Sequence, residues 1–312
     1  MLPATGVFAA CVTADCHALL GRGKVVHAPV AAGECEACHK VAAPHAGGGG
    51  LELVAAGRDL CLSCHEDPAK GLSFVHAPVV DGCTDCHDPH QSANAALLLQ
   101  PGGRLCLTCH DGLAAGEQVH GPVAAGNCAI CHAPHASANA ALLVRPGNEP
   151  CLSCHVQIGQ IIKKARSQHQ PVASGHCWEC HTPHSSDHDP LLRAAYPVAF
   201  YSSYSEETYA LCFNCHDKGA MEYERTSEAT RFRNRDRNLH YFHVNRPAKG
   251  RVCKSCHGVH GADQEKLLLS DVPHFGNWEI PLRWVETENG AACYVGCHRP
   301  KMYDRKQRIN NP

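Results

Sequence analysis

Aromatic side chains are scarce in this chain, with 7 Phe, 8 Tyr and 3 Trp among 312 residues. Apolar residues as a whole stand at an ordinary 44%, so what is missing is the bulk that usually fills a core. Methionine is scarcer still: only Met1, Met221 and Met302 occur, which excludes a recurring thioether ligand. No apolar run reaches the roughly 18 residues that a membrane-spanning helix needs. The formal charge of −2 excludes a basic, nucleic-acid-binding surface. Hydrolase, kinase and nucleotide-binding motifs are absent. No secretory leader is visible either. Met1-Leu2-Pro3-Ala4-Thr5 carries no charged side chain, and Cys11 follows too soon for an apolar segment.

Nor is there a cysteine outside a pattern. All 22 precede a histidine in one of eleven motifs. Nine read C-x-x-C-H: Cys35/Cys38/His39, Cys61/Cys64/His65, Cys83/Cys86/His87, Cys106/Cys109/His110, Cys128/Cys131/His132, Cys151/Cys154/His155, Cys177/Cys180/His181, Cys212/Cys215/His216 and Cys253/Cys256/His257. Two are longer: Cys11/Cys16/His17 opens the series and Cys293/Cys297/His298 closes it. A disulfide framework would not place His after every second cysteine, and structural zinc would need further ligand pairs at other offsets. The spacing is that of covalent haem attachment. Two thiols about one helical turn apart bind one haem, and the next residue reaches the iron as proximal ligand. The sequence therefore predicts eleven haem c groups. Each ferric haem adds about one negative charge, so the holoprotein is expected near −13 oxidised and about −24 reduced. Such haem is attached after export, so the protein is expected at the cell surface, extracellular or periplasmic, with its leader removed or outside this numbering.

An internal repeat runs through the chain. Its phrase is His-x-Pro-Val, C-x-x-C-H, Pro-His, an Ala/Leu stretch and a second C-x-x-C-H. Copies begin at His27, His76, His120 and His169, with a degenerate fifth at His243. Five pairs and the leading site account for all eleven motifs. The repeat also deals out a second set of histidines. His27, His76, His120, His169 and His243 precede the first motif of each pair; His45, His90, His135, His184 and His260 follow it. These ten are expected as distal ligands, giving bis-histidine iron and low potentials. Removing the 11 proximal histidines from 25 leaves 14. Beyond the ten, His176, His188, His240 and His274 remain, and His274 is expected as the eleventh distal ligand because it lies between the last two motifs in a Pro-His phrase.

With one haem per 28 residues, an ordinary protein core is not expected. The fold class expected is mostly irregular, with short α-helices on the attachment motifs, little or no β structure, and elongated packing around haem. Two regions are expected, the second continuous with the first. Residues 1–188 hold eight motifs; 189–312 hold three and 15 of the 18 aromatic residues. That aromatic enrichment reads as a conventional core where haem is sparse, or as a docking surface. The run Arg231-Phe232-Arg233-Asn234-Arg235-Asp236-Arg237 reads as a partner for propionates or acidic groups, or as a solvated loop. Short helices are expected at Ser92–Leu99 and Ser137–Leu143, a longer one at Ile158–Ser167, and a loop at Gly47–Gly50.

The phrases Cys83-Thr-Asp-Cys-His-Asp-Pro-His90, Cys128-Ala-Ile-Cys-His-Ala-Pro-His135 and Cys177-Trp-Glu-Cys-His-Thr-Pro-His184 resemble the doubled C-x-x-C-H family of multihaem cytochromes. The resemblance covers about residues 11–298. It implies electron transfer, as a periplasmic carrier, a conduit inside an outer-membrane porin, or a surface cytochrome, some of which polymerise into filaments. The motif density predicts a conductor, not an enzyme, exchanging electrons with other redox proteins or extracellular acceptors. The final motif has no His-x-Pro-Val after it, which would suit a ligand from a second copy. The competing reading is a reductase with one open iron at Cys293/Cys297/His298, near Tyr294, Arg299 and His274. No C-x-x-C-K motif supports it.

Overall fold

The structure, a computed structural model, describes residues 17–41, 51–275 and 278–311. Cys11, Cys16, His45 and the loop at Gly47–Gly50 lie outside the described residues, as does the side chain of His274. The chain divides into two units, Met1–Ala114 with Gly121–Pro146 and Ala115–His120 with Gly147–Pro312. The composition change near Asp189 falls inside the second.

Local structure follows the repeat phrase. Each His-x-Pro-Val opens a single helical turn, as at Ala28–Ala32, Ala77–Asp81 and Gln170–Ala173. The proline sits in the first turn, where its missing N–H costs nothing and its fixed φ suits the helix. The histidine before it stays extended, with ψ of 137° at His27 and 128° at His76. The first motif of a pair forms a 3₁₀ turn, as at Cys35–Ala37 and Cys177–Glu179. The second lies on a short α-helix, as at Gly57–Leu62 and Gly103–Leu107.

Successive repeats are stitched together by short antiparallel strand pairs. In the first unit Val25–Val26 pairs with Gln91–Ser92, and Phe74–Val75 with Ala136–Ser137. In the second, Gln118–Val119 pairs with Ser185–Ser186, and Ser167–Gln168 with Gly261–Ala262. The segment before each His-x-Pro-Val thus meets the segment after the next repeat's Pro-His. His27 N–H donates to the His90 carbonyl, and His76 N–H to that of His135, each at 2.9 Å.

The expectation of little or no β structure is corrected at the C-terminal end. Asp271–Phe275, Trp278–Glu286, Gly290–Val295 and Lys301–Asp304 form a four-stranded antiparallel sheet in sequence order. Its second strand alternates, with Ile280, Leu282 and Trp284 more buried than their neighbours, the period-two pattern of a half-buried strand. Trp284 Nε1 donates to Tyr303 Oη at 3.2 Å across the sheet. The expected helices at Ser92–Leu99 and Ser137–Leu143 are also corrected. Only the turns Ala95–Leu97 and Ala140–Leu142 form, each containing left-handed residues. The longer helix spans Val156–Lys164, because Ser167–Gln168 is taken into a strand pair.

Among the described residues, buried apolar side chains concentrate late in the chain. Tyr209, Val244 and Val252 form a cluster joined by Tyr196, Tyr204, Phe213 and Met221. Before residue 190, Ala136 is the buried apolar residue. The aromatic excess therefore builds a core where motifs are sparse. The arginine run is partly tied down locally. Arg233–Asn234 and Arg237–Asn238 pair as a hairpin, Arg225 bridges Asp236 at 2.7 Å, and Arg237 lies 4.4 Å from the Phe242 ring centre.

Candidate haem sites

The C-x-x-C-H motifs from Cys61 to His257 close on themselves in the same way. The backbone N–H of the histidine donates to the carbonyl of the first cysteine, at 2.9 Å for His65 and His257 and 3.0 Å for His87 and His181. The second cysteine is drawn to the same carbonyl. The N–H groups of Cys38, Cys64, Cys131 and Cys154 each donate to it, at Cys35, Cys61, Cys128 and Cys151, over 3.2 Å. That is one helical turn, and it places both thiols and the imidazole together. Cys64 and Cys154 are exposed, with the Ser63 and Ser153 hydroxyls 3.7 and 3.9 Å from their sulfurs, while Cys38 and Cys131 are half-buried. The described cysteines, from Cys35 to Cys297, form no disulfide with one another. The last motif differs. Cys293 lies in a strand, and His298 N–H bonds Val295 at 3.3 Å.

Facing seven of the motif imidazoles is a second one. Ring centres are 5.8 Å apart for His65 and His27, 6.0 Å for His39 and His90, and 6.1 Å for His110 and His76. They are 6.0 Å apart for His87 and His135 and 6.1 Å for His155 and His120. The second unit adds His216 with His169 at 5.9 Å and His181 with His260 at 6.2 Å. All seven pairs lie within 25° of parallel. His257 faces His240 at 6.4 Å and 30°. His298 lies close enough to His243 to bear on its protonation.

The spacing fits a group held between the rings. Metal–imidazole bonds of about 2.0–2.1 Å on both sides, plus roughly 1.1 Å from each nitrogen to its ring centre, give about 6.2 Å. The hydrogen bonding fits as well. Nδ1 of His27, His76 and His120 meets the carbonyl of Pro89, Pro134 and Pro183, each at 2.9 Å. Nδ1 of the motif histidines His87, His132, His181 and His257 meets the carbonyl nine residues on, at Ala96, Ala141, Pro190 and Lys266. A carbonyl only accepts, so Nδ1 carries the proton and Nε2 keeps its lone pair. Burial, with the facing imidazole second, lowers the pKa of His39, His135, His169 and His260. Neutral imidazole is the state that binds a metal.

Two polypeptide features sequence reading missed now have a purpose. The Ala/Leu stretch is not a helix but a turn that aims a carbonyl at the proximal histidine. It does so through residues at positive φ: Ala96 at 54°, Ala141 at 53° and Lys266 at 61°. The proline of Pro-His supplies the carbonyl that fixes a distal histidine, with Val259 taking that place for His169. Both regularities were present in the repeat as a fixed nine-residue offset and a recurring proline.

The histidines follow a register. The histidine of His-x-Pro-Val faces the second motif of its own repeat. The histidine of Pro-His faces the first motif of the preceding repeat, as His90 does for His39. Neighbouring motifs also touch through their thiols. Cys61 lies beside Cys83, Cys106 beside Cys128, Cys151 beside Cys177 and Cys212 beside Cys253. Cys86 lies near Cys109, Cys180 near Cys215 and Cys256 near Cys297. Within each unit, motifs adjacent in sequence are adjacent in space. Of the remaining histidines, the His176 ring lies 5.0 Å from that of Trp178, and the His188 carbonyl accepts from Leu192 N–H.

The polypeptide alone exposes 20258 Å², against roughly 12,700 Å² for a compact protein of 33.6 kDa. Leu53, Val54, Phe74, Val75 and Leu99, close in sequence to the motifs, are among its exposed apolar residues. Porphyrin faces would cover such surface.

Recurring thiol pairs followed by an imidazole, seven of which face a second imidazole, define a multihaem c-type cytochrome, a class that works in electron transfer. The chain belongs to the doubled CXXCH motif family, which matches residues 27–70, 76–115, 120–160 and 169–221. No curated protein matches it. Among the described residues no helix is long and apolar enough to cross a membrane.

Proposed function

We propose that this protein conducts electrons along eleven covalently bound haems, mainly bis-histidine ligated, outside the cytoplasm. The observation that carries the reading is the recurring imidazole pair near 6 Å, seven times over and always on a proximal histidine. The thioether cysteines are the two of every motif. Cys11, Cys35, Cys61, Cys83, Cys106, Cys128, Cys151, Cys177, Cys212, Cys253 and Cys293 come first. Cys16, Cys38, Cys64, Cys86, Cys109, Cys131, Cys154, Cys180, Cys215, Cys256 and Cys297 come second. The proximal ligands are His17, His39, His65, His87, His110, His132, His155, His181, His216, His257 and His298. Distal ligands are His27, His45, His76, His90, His120, His135, His169, His184, His243 and His260. By extension of the same order along the sequence, His45 is proposed for His17. When bound, haem supplies reversible one-electron chemistry. The chain's residues hold each imidazole neutral, aim its Nε2 and set neighbouring attachment sites side by side.

The seven facing pairs leave those sites no open coordination position, which supports a conductor over a reductase. The proposed setting is extracellular or trans-outer-membrane transfer through a polymer of this chain, since eleven haems exceed what a shuttle needs. That polymer does not depend on a borrowed ligand: His243 of the same chain accompanies His298. Intact mass and pyridine haemochrome analysis should give eleven haems per chain, with a low-spin spectrum that carbon monoxide leaves unchanged after reduction. Fewer haems, or several high-spin irons, would overturn the reading. Negative-stain microscopy of native protein separates the settings. Uniform filaments support the polymer, whereas discrete particles or co-purification with a barrel protein replace it with a carrier or a sheathed conduit.

A further inference from the structure

The ligand register contains its own ending. Three first motifs take their facing histidine from the corresponding position of the next repeat: His39 from His90, His87 from His135, and His181 from His260. Within residues 1–312 no sixth repeat offers a Pro-His of the repeat type to the first motif of the fifth, Cys253/Cys256/His257. An imidazole nevertheless faces it. The helix Leu239–Val244 carries two histidines three residues apart. His243 occupies the repeat position and accompanies His298. His240 belongs to no repeat position, and its ring centre lies 6.4 Å from that of His257.

Resting on the reading of this chain as a bis-histidine cytochrome, we propose that His240 is the distal ligand of the haem at Cys253/Cys256/His257. It closes the ligand series from within the chain, in place of His274. Three observations support the assignment. The ring separation is that of the repeat pairs within a few tenths of an ångström. The ring is fixed from behind, because Nδ1 lies 2.8 Å from Thr230 Oγ1, leaving Nε2 on the other side. Phe232 packs edge-on against it at 5.1 Å between ring centres. Thr230 is itself buried and accepts from Phe232 N–H at 3.0 Å, so its hydroxyl is held in place. The helix start is capped by Asn238, whose side chain accepts from Tyr241 N–H at 3.1 Å and donates to the Ala220 and Tyr223 carbonyls. The long insertion before the fifth pair therefore builds a ligand-bearing helix as well as a core.

One consequence distinguishes this haem. The repeat-position distal imidazoles at His27, His76 and His120 donate to a carbonyl, whereas His240 meets a hydroxyl. A hydroxyl is a weaker acceptor than an amide carbonyl, so His240 donates less electron density to the metal, and this haem should sit above its neighbours in potential.

The test uses the haem-loaded full chain. His240→Gly should give one high-spin, carbon-monoxide-binding haem per chain among eleven by magnetic circular dichroism. Free imidazole should return it to low spin. His274→Ala should match the unsubstituted protein. An all-low-spin His240→Gly, or a new high-spin iron in His274→Ala, overturns the assignment. If the unsubstituted protein already binds carbon monoxide at many sites, the bis-histidine reading fails first. Should His240→Gly not mature, His240→Met serves instead. It should stay six-coordinate and raise one midpoint potential in eleven, and a titration curve identical to the parent's would overturn the proposal.

Discussion

At the scale of single residues, backbone strain is spent on aiming ligands. Ala96, Ala141 and Lys266 hold positive φ without being glycine, at a cost of about 1–2 kcal/mol each. Each places its own carbonyl on the Nδ1 of a proximal histidine nine residues back. Strain that recurs at the same place in three repeats marks a functional demand. Ala96→Val adds a branched Cβ where the left-handed backbone has least room. It should destabilise the holoprotein by roughly 1–2 kcal/mol, read as a lower Tm. An unchanged Tm would mean that the turn relaxes freely. Thr230 belongs at this scale too, as a positioning residue behind His240. Thr230→Val removes the hydroxyl but keeps the shape. One midpoint potential in a spectroelectrochemical titration should rise while all haems stay low-spin, and an unmoved titration would remove Thr230 from the site.

At the scale of elements, the repeats work only in series. A strand pair, a backbone bond from histidine to histidine and a proline carbonyl each cross from one repeat to the next. Close backbone contact brings the attachment turns together. A Cβ added at Gly103 would lie 2.5 Å from the Cα of Gly126. Gly103 opens the helix that carries Cys106, and Gly126 precedes Cys128, whose thiol meets Cys106. Gly103→Ala should therefore cost on the order of 1–3 kcal/mol, the usual range for overpacking, and lower holoprotein yield. At Gly112 a Cβ meets nothing within 4 Å, so Gly112→Ala should leave Tm where it was. Equal effects of the two substitutions would show that the contact does not matter.

At the scale of the whole molecule, stability is unevenly supplied. Ala136 is the buried apolar residue found before residue 190 among those described, while the Tyr209 cluster and the four-stranded sheet follow it. Where haem attachment is dense, folding energy must come from haem, as it does from metal in small metal-dependent domains. A full chain made without haem attachment should lose most helical circular dichroism. Limited proteolysis should cut it within residues 58–188 well before 196–311. Equal cleavage rates, or a folded haem-free chain, would show that the early region has a core of its own.

Much of the site was legible in the sequence. Cysteine count, the histidine after each pair and the repeat itself pointed to haem attachment, because covalent chemistry fixes those spacings over a single turn. The doubled family and its place in electron transfer follow from the same residues. The sheet was partly legible as well, in the alternation of Ile280, Leu282 and Trp284. Pairing was not legible. Which imidazole faces which depends on contacts 34–79 residues apart, set by strand pairing between repeats rather than by local spacing. The turn at Ala96 was misread for a related reason: alanine and leucine favour helix, and only the carbonyl's engagement with His87 makes the left-handed turn worth its cost. His240 was passed over because it has no repeat position. Local chemistry could be read along the chain, whereas the partners across each metal site had to wait for the fold that brings distant repeats together.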